Sequence, residues 1–179
     1  MIQRTCVVGA GVIGSLYAAH LARGAEVSVL TRREEHARAL RERGLRVSGK
    51  GDFVARVAAT ATVEALPQFD LGILATKATE LEDAALRLEG RFPDATLVTV
   101  QNGLGAEQIV RRFGHWPLVS AVTFMSGTRH DDAHVEYVLD TETWLGPYET
   151  TPLETVEAVA TLLVRSGLRA LALRDVRPA

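Results

Sequence analysis

The chain has 179 residues, 47% of them apolar, and a formal net charge of −2. That length suits one domain able to bury about 70% of its unfolded surface, and the near-neutral charge excludes a general attraction to nucleic acid or acidic membranes. No run of 18 apolar residues exists, so no membrane span is expected; the glycine-interrupted N-terminus does not read as a signal peptide, which leaves the cytoplasm as the expected compartment.

Thr5-Cys6-Val7-Val8 reads as an apolar strand that runs straight into Gly9-Ala10-Gly11-Val12-Ile13-Gly14. This is Gly-x-Gly-x-x-Gly between a strand and a helix, the context that separates a dinucleotide site from an ordinary glycine-rich turn. Gly9 permits the tight turn, Gly11 lets backbone approach a pyrophosphate, and Gly14 lets the helix pack close to the strand. The diphosphate would rest on free N–H groups at the helix N-terminus, where the macrodipole favours anions. The helix is expected over about Val12–Arg23, with an apolar stripe through Val12, Leu16, Ala19 and Leu21 or Ala22, and Gly24 as its stop. The single cysteine, Cys6, lies in the first strand and reads as a small core residue.

A second strand is expected over Glu26–Leu30, and a polar, Arg/Glu-rich helix over Glu34–Arg43 that Gly44 ends. Strands ending in Asp or Glu at this point bind the ribose 2′-hydroxyl of NAD. Here the strand ends Thr31-Arg32-Arg33. A guanidinium grips a phosphate through two parallel hydrogen bonds, so Arg32 points to the 2′-phosphate of NADP(H), with a hydroxyl from Thr31 beside it. The alternative is that Arg32 and Arg33 are solvated residues paired with Glu34 and Glu35.

Leu45–Ser48 and Phe53–Val57 read as a hairpin around Gly49-Lys50-Gly51-Asp52. Leu71–Ala75, Thr96–Val100 and Leu118–Thr123 are apolar strands, with helices over Glu80–Leu88 and Ala106–Phe113 between them. Continuous apolar strands alternating with helices imply a parallel sheet covered on both faces. Beyond Met125, His134–Val138 and Thr143–Leu145 are expected to form an antiparallel hairpin, followed by a helix over Pro152–Ser166 and a strand over Leu168–Leu173. The fold class is therefore α/β: a Rossmann-type, mainly parallel sheet with helices on both faces and an antiparallel hairpin extension near the C-terminus. Residues 1–179 are read as a single dinucleotide-binding domain.

Four segments in order give the chain its resemblance to a known family. They are Val7–Gly14; Val27–Arg32 with Gly44-Leu45-Arg46-Val47 after it; Leu71-Gly72-Ile73-Leu74-Ala75-Thr76-Lys77-Ala78; and Val98-Thr99-Val100-Gln101-Asn102-Gly103-Leu104-Gly105. Together they resemble the ketopantoate reductase family, the 2-dehydropantoate 2-reductases, along essentially the whole chain. The resemblance implies that Gly9–Gly14 cradle the pyrophosphate and that Arg32 holds the 2′-phosphate. It puts Lys77 at the nicotinamide end, Asn102 near the nicotinamide ribose and the substrate, and Gly127 on the same crevice. It implies a small 2-oxo acid as partner, reduced by NADPH to (R)-pantoate on the way to pantothenate and coenzyme A.

Lys77 and Asn102 both follow carboxyl ends of parallel strands, where open α/β sheets bind ligands. Lys77 is one of only two lysines, Lys50 being the other, which argues against a chance position. A solvated lysine and a plain Asn-Gly turn are the alternatives. In the family, the catalytic proton-donor lysine and most substrate contacts belong to a helical C-terminal domain. The resemblance puts that domain beyond Ala179, and neither Lys50 nor Lys77 matches its lysine. No catalytic residue is therefore assigned, and the chain alone is expected to bind NADPH without appreciable turnover. Reduction of another 2-oxo acid, or a stand-alone NADP(H)-binding or sensing module, are the competing readings. Apolar surface left by an absent domain would favour a homo-oligomer. His130-Asp131-Asp132-Ala133-His134 carries metal-ligand residue types but reads as a polar hairpin loop, and no metal site is assigned. His20 is expected at a surface or core edge, and Trp116 and Trp144 in packing.

Overall fold

The computed structural model describes residues 1–176. Ala179, the position beyond which the family's proton-donor lysine is expected, lies outside the described residues. In chain order the elements are β1 (Arg4–Val8), α1 (Val12–Leu21), β2 (Glu26–Leu30), α2 (Glu34–Arg43), β3 (Leu45–Gly49), β4 (Phe53–Ala55), β5 (Ala58–Thr60), β6 (Leu71–Leu74), α3 (Leu81–Leu88), β7 (Thr96–Thr99), α4 (Ala106–Arg111), β8 (Leu118–Val122), β9 (Ser126–Asp131), β10 (His134–Leu139), β11 (Thr143–Pro147), α5 (Leu153–Arg165) and β12 (Ala170–Ala172). Eight strands form the main sheet in the order β12-β11-β8-β7-β6-β1-β2-β5. All its pairings are parallel except β8 with β11.

Both faces of this sheet are covered, which is why its inner strands read as unbroken apolar runs. On one face Cys6, Val8, Leu74, Leu97 and Leu118 meet Leu81, Ala85 and Leu88 of α3 and Val110 of α4. On the other, Val7, Val29, Ile73, Val98 and Val119 meet α1, α2 and α5. Burial pushes the Cys6 thiol up to about 12, so the residue is an inert core atom as its position suggested.

A second sheet, β4-β3-β10-β9, lies over α1. It encloses that helix from the far side, and every residue from Gly14 to Leu21 is buried. The expected stripe therefore underestimates α1. His20 lies in this interface, its ring against Phe53 and Tyr137 with centroids at 5.2 and 5.6 Å. Tyr17 also reaches across the core, its hydroxyl 3.1 Å from that of Thr143.

The C-terminal hairpin differs from the expected one. His134–Leu139 pairs with Ser126–Asp131, and Thr143–Pro147 instead joins the main sheet antiparallel to β8. The turn explains the choice: the Asp131 carboxylate accepts the Ala133 N–H at 2.7 Å and closes a tight reversal between β9 and β10. Trp116 packs as expected, buried with its indole N–H donating to the Phe92 carbonyl at 2.8 Å. Trp144 does not; it is 41% exposed and stacks edge-on with the exposed Phe124. Among the described residues no helix is long and apolar enough to cross a membrane.

The start of β1 is clamped by Asp70, one residue before β6. Its carboxylate accepts the backbone N–H groups of Gln3 and Arg4, both at 2.9 Å, and the side chain of Arg4 lies 3.6 Å away. The Arg4 and Gln3 N–H groups hold the carboxyl below the usual carboxylate range. A depressed carboxyl stabilises the fold above its unfolded pKa of about 3.9 and loses that contribution as pH falls through the folded value. Asp70→Asn is expected to cost about 1 kcal/mol at pH 7, a low figure for charge-assisted bonds because the group is partly exposed. Chemical denaturation across pH should find that difference intact above about pH 5 and vanishing below pH 4.

Candidate functional site: a cleft at the carboxyl ends of β1, β2 and β6

From β1 the chain moves outward to β2, then returns to β6 on the other side of β1. Such a reversal leaves a crevice beyond the strand ends, the usual ligand site of open α/β sheets. A cleft of about 470 Å³ lies there. Its walls come from the Val8–Val12 turn, the segment Leu30–Arg33 with His36, the segment Ala75–Lys77 with Glu80, the α3 residues Asp83, Ala84 and Arg87, and Arg129 of β9.

The glycines have separate tasks. Gly9, at φ +95°, lies in the left-handed region, and a Cβ there would stand 2.9–3.1 Å from Thr76 and Ala75. Its N–H donates to the Leu30 carbonyl at 2.9 Å, which fixes the turn against β2. A Cβ on Gly14 would fall deep inside the carbonyl oxygen of Gly9, so the closeness of α1 to the turn depends on that hydrogen. Gly11 is the opposite case: a Cβ there meets nothing within 4 Å and would project into open space. Gly11 is also the N-cap of α1, with no side chain bonded to the cap and no acid in the first turn. The first N–H groups and the positive end of the helix dipole are left for an anion. Ala10 and Val12 line the cleft with Gly9 and Gly11; Ile13 and Gly14 do not.

The end of β2 carries the arginines, with partners that the sequence did not suggest. Arg32 pairs with Glu80 at 2.7 Å and remains 79% exposed. Arg33 donates to both carboxylate oxygens of Asp132, at 2.8 and 3.0 Å. Glu34, a partner expected from its position, pairs with Arg41 instead. The Thr31 hydroxyl, buried on the cleft wall, donates to the Arg33 carbonyl at 2.9 Å, so its proton shapes the loop.

Lys77 is exposed on the cleft wall just past β6. Asn102 lies in the exposed turn after β7, outside the cleft lining. The two strand ends are tied by Gln101, whose amide N–H₂ donates to the carbonyls of Leu74 at 2.8 Å and Thr76 at 3.0 Å. Gly127 is a β9 residue, also outside the lining; a Cβ on it would strike the Glu136 carbonyl and approach Val12 to 3.0 Å. Its smallness keeps the second sheet tight against the glycine turn.

These residues fit a dinucleotide. Three buried polar atoms at or beside the cleft have no hydrogen-bond partner among the described residues: Thr76 Oγ1, Gln101 Oε1 and His36 Nε2. Buried polar groups without partners are rare unless a ligand or water completes them. Open space at Gly11, an uncapped helix start and the guanidinium groups at the other end complete the fit.

The model of the family "Ketopantoate reductase PanE/ApbA" matches residues 5–150. The chain belongs to this family. It is 29% identical over 175 residues to the 2-dehydropantoate 2-reductase of Archaeoglobus fulgidus, covering 98% of this chain and 58% of that protein. It is 30% identical over 162 residues to the enzyme of the same name from Pyrococcus horikoshii, covering 90% of this chain and 53% of that one. Among solved structures, a PanE/ApbA family ketopantoate reductase from Ralstonia eutropha JMP134 superposes with a TM-score of 0.87 at 23% identity, over 97% of this chain and 57% of its own. D-mandelate dehydrogenase, solved with NADH and anilino(oxo)acetate, gives 0.88 at 24% identity, over 97% and 58%. The chain thus spans between half and three fifths of these relatives.

Within this ketopantoate reductase-family chain, sequence reasoning missed four groups on the cleft: His36, Glu80, Arg87 and Arg129. Arg87 is held by the Ala61 carbonyl at 2.7 Å. Arg129 comes from β9, which carried no strand signal. The residues of the 130–134 segment make side-chain contacts within the second sheet and to α2: His130 with Glu136, Asp131 with Arg43, and His134 with Ser48.

Proposed function

We propose that this chain binds NADP(H) in the cleft and forms the cofactor-binding part of an NADPH-dependent reductase that converts 2-dehydropantoate to (R)-pantoate, a cytoplasmic step of pantothenate synthesis. The nicotinamide ring, when bound, supplies a hydride. Family membership and the names of the relatives support the reaction class. The observation that carries the cofactor reading is the cleft itself, with open space at Gly11 at one end and Arg32, Arg33 and Arg129 at the other.

In this reading the turn Gly9–Gly14 and the first N–H groups of α1 hold the pyrophosphate, and Arg32 moves from Glu80 to the 2′-phosphate. Lys77 and Asn102, bridged through Gln101, orient the nicotinamide end and the keto acid. Turnover is assigned to residues beyond Ala179: the family resemblance gives proton delivery to a lysine that neither Lys50 nor Lys77 matches, and the relatives extend well beyond the matched region.

Titration with NADPH and NADH tests the reading. NADPH should bind at least about tenfold more tightly, and Arg32→Ala should remove most of that gap while leaving NADH unchanged. About tenfold is the low end for a charge-assisted pair, as expected for an exposed arginine that must first leave Glu80. Equal affinities would overturn the 2′-phosphate assignment and favour an NADH-using reductase of another 2-oxo acid; the D-mandelate dehydrogenase of like fold is solved with NADH. Failure of both to bind would overturn the whole reading.

A further inference from the structure

His36 stands on the cleft wall, the third residue of α2. It is 6% exposed, and its Nε2 is buried without a hydrogen-bond partner among the described residues. Its Nδ1 lies 4.0 Å from a carboxylate oxygen of Asp132. The same carboxylate takes two hydrogen bonds from Arg33 and has Arg129 at 3.5 Å. Three basic side chains from the β2–α2 loop, α2 and β9 thus converge on one acid, and all three line the cleft within reach of the arginine-bearing end of β2.

An imidazole with Nδ1 turned to a carboxylate has one nitrogen left to offer. Neutral, that nitrogen is an acceptor; protonated, it is a donor. A ribose hydroxyl is a donor that suits the first state, and a phosphate is an acceptor that needs the second. Resting on the NADP(H) reading above, we propose that His36 reads the 2′-substituent of the adenosine ribose: protonated, it donates from Nε2 to the 2′-phosphate of NADPH, and neutral, it accepts from the 2′-hydroxyl of NADH.

The surroundings set the resting state. Burial holds His36 below the ordinary histidine range, and Arg129 and Arg33 push the same way, against the attraction of Asp132. The charged groups that face it are the guanidiniums of Arg33 and Arg129 and the carboxylate of Asp132. The free protein therefore carries a neutral His36 at neutral pH. A phosphate dianion brought to Nε2 raises the imidazole pKa, so NADPH binding draws one proton from solvent to that nitrogen. A group whose pKa rises on binding strengthens that binding as pH falls. Preference for NADPH over NADH then increases toward acid.

Calorimetric titration of the full chain, in buffers of different ionisation enthalpy, reads this directly. At pH 7, NADPH binding should take up a measurable amount of proton, at most one per site, and NADH about none. The ligand cannot supply this signal, because a phosphate monoester with a second pKa near 6 would release protons on binding, the opposite sign. Between pH 8 and 6.5 the ratio of NADH to NADPH dissociation constants should rise roughly three- to tenfold. His36→Gln, whose amide donates at any pH, should abolish both the uptake and the pH slope, and its circular dichroism spectrum and melting midpoint report that it is folded. The uptake on the unaltered protein needs no variant. Tight NADPH binding with no uptake and a pH-independent ratio would overturn the role of His36 and leave the NADP(H) reading standing. Failure of both dinucleotides to bind would overturn the two together.

Discussion

Gly14→Ala is expected to lower the unfolding midpoint by about 6–12 °C or to prevent folding. The added methyl would lie inside the Gly9 carbonyl oxygen, and that oxygen is backbone in a turn fixed on both sides. Gly9 N–H is bonded to Leu30, and the Ala75 N–H holds the neighbouring Val8 carbonyl at 2.8 Å. Neither partner is a side chain that can swing away, so α1 itself must shift. It cannot shift freely, because the main sheet and the second sheet enclose it from Gly14 to Leu21. Overpacking in a closed core costs about 1–3 kcal/mol, and more where backbone must move. At about 2–4 °C per kcal/mol for a domain of this size, some 3 kcal/mol gives the stated range. Thermal melting checks it; a midpoint within about 2 °C of the parent would show that α1 has more room than its burial implies.

Gly11→Ala is expected to do the reverse: keep the fold and lose the dinucleotide. Gly11 has φ −72°, which alanine adopts without strain, and its added Cβ meets no protein atom within 4 Å. The cost to stability should stay below about 1 kcal/mol, the loss of a good N-cap residue. The same methyl would occupy the open space in which the proposed pyrophosphate approaches the backbone. A steric cost of about 1–3 kcal/mol lowers affinity about 5- to 150-fold. Melting and nucleotide titration of the two variants side by side should divide cleanly, one losing stability and the other binding. Full NADPH affinity in Gly11→Ala would remove the glycine turn from the site.

The sequence and the structure agree best where local chemistry decides. α2 runs over Glu34–Arg43 as expected, because a polar helix-forming stretch meets Gly44, whose φ of +75° ends it. The strands β1, β6, β7 and β8 were legible because both faces are buried and no polar residue needs to alternate. β9 was not, since Ser126–Asp131 is mostly exposed and lies at the edge of its sheet, where packing exerts little demand on side chains. Losing β9 misassigned the partner of β10, and with it the place of Arg129 on the cleft. At the site, the glycine turn and Arg32 could be read locally. The carboxylates that hold the arginines could not: Glu80 lies 48 residues beyond Arg32, and Asp132 lies 99 beyond Arg33. The near neighbour Glu34 pairs with Arg41 along its own helix instead.

The second sheet has a consequence for how the molecule comes to be. β3 pairs in parallel with β10, Arg46 opposite His134 and Gly49 opposite Tyr137, so it must wait for residues some 88 positions later in synthesis. Closing so long a loop is an entropic cost met before any contact rewards it. While the first half emerges from the ribosome, β3 and β4 are a two-stranded ribbon, too small to be stable alone, and α1 has a bare apolar flank. Arg129, Asp132 and the enclosed ring of His36 come together only when β9 and β10 arrive. The end of the cleft that carries Arg33, His36 and Arg129 is thus the late-forming part of the domain, complete only after the longest-range strand pairing of the second sheet is made.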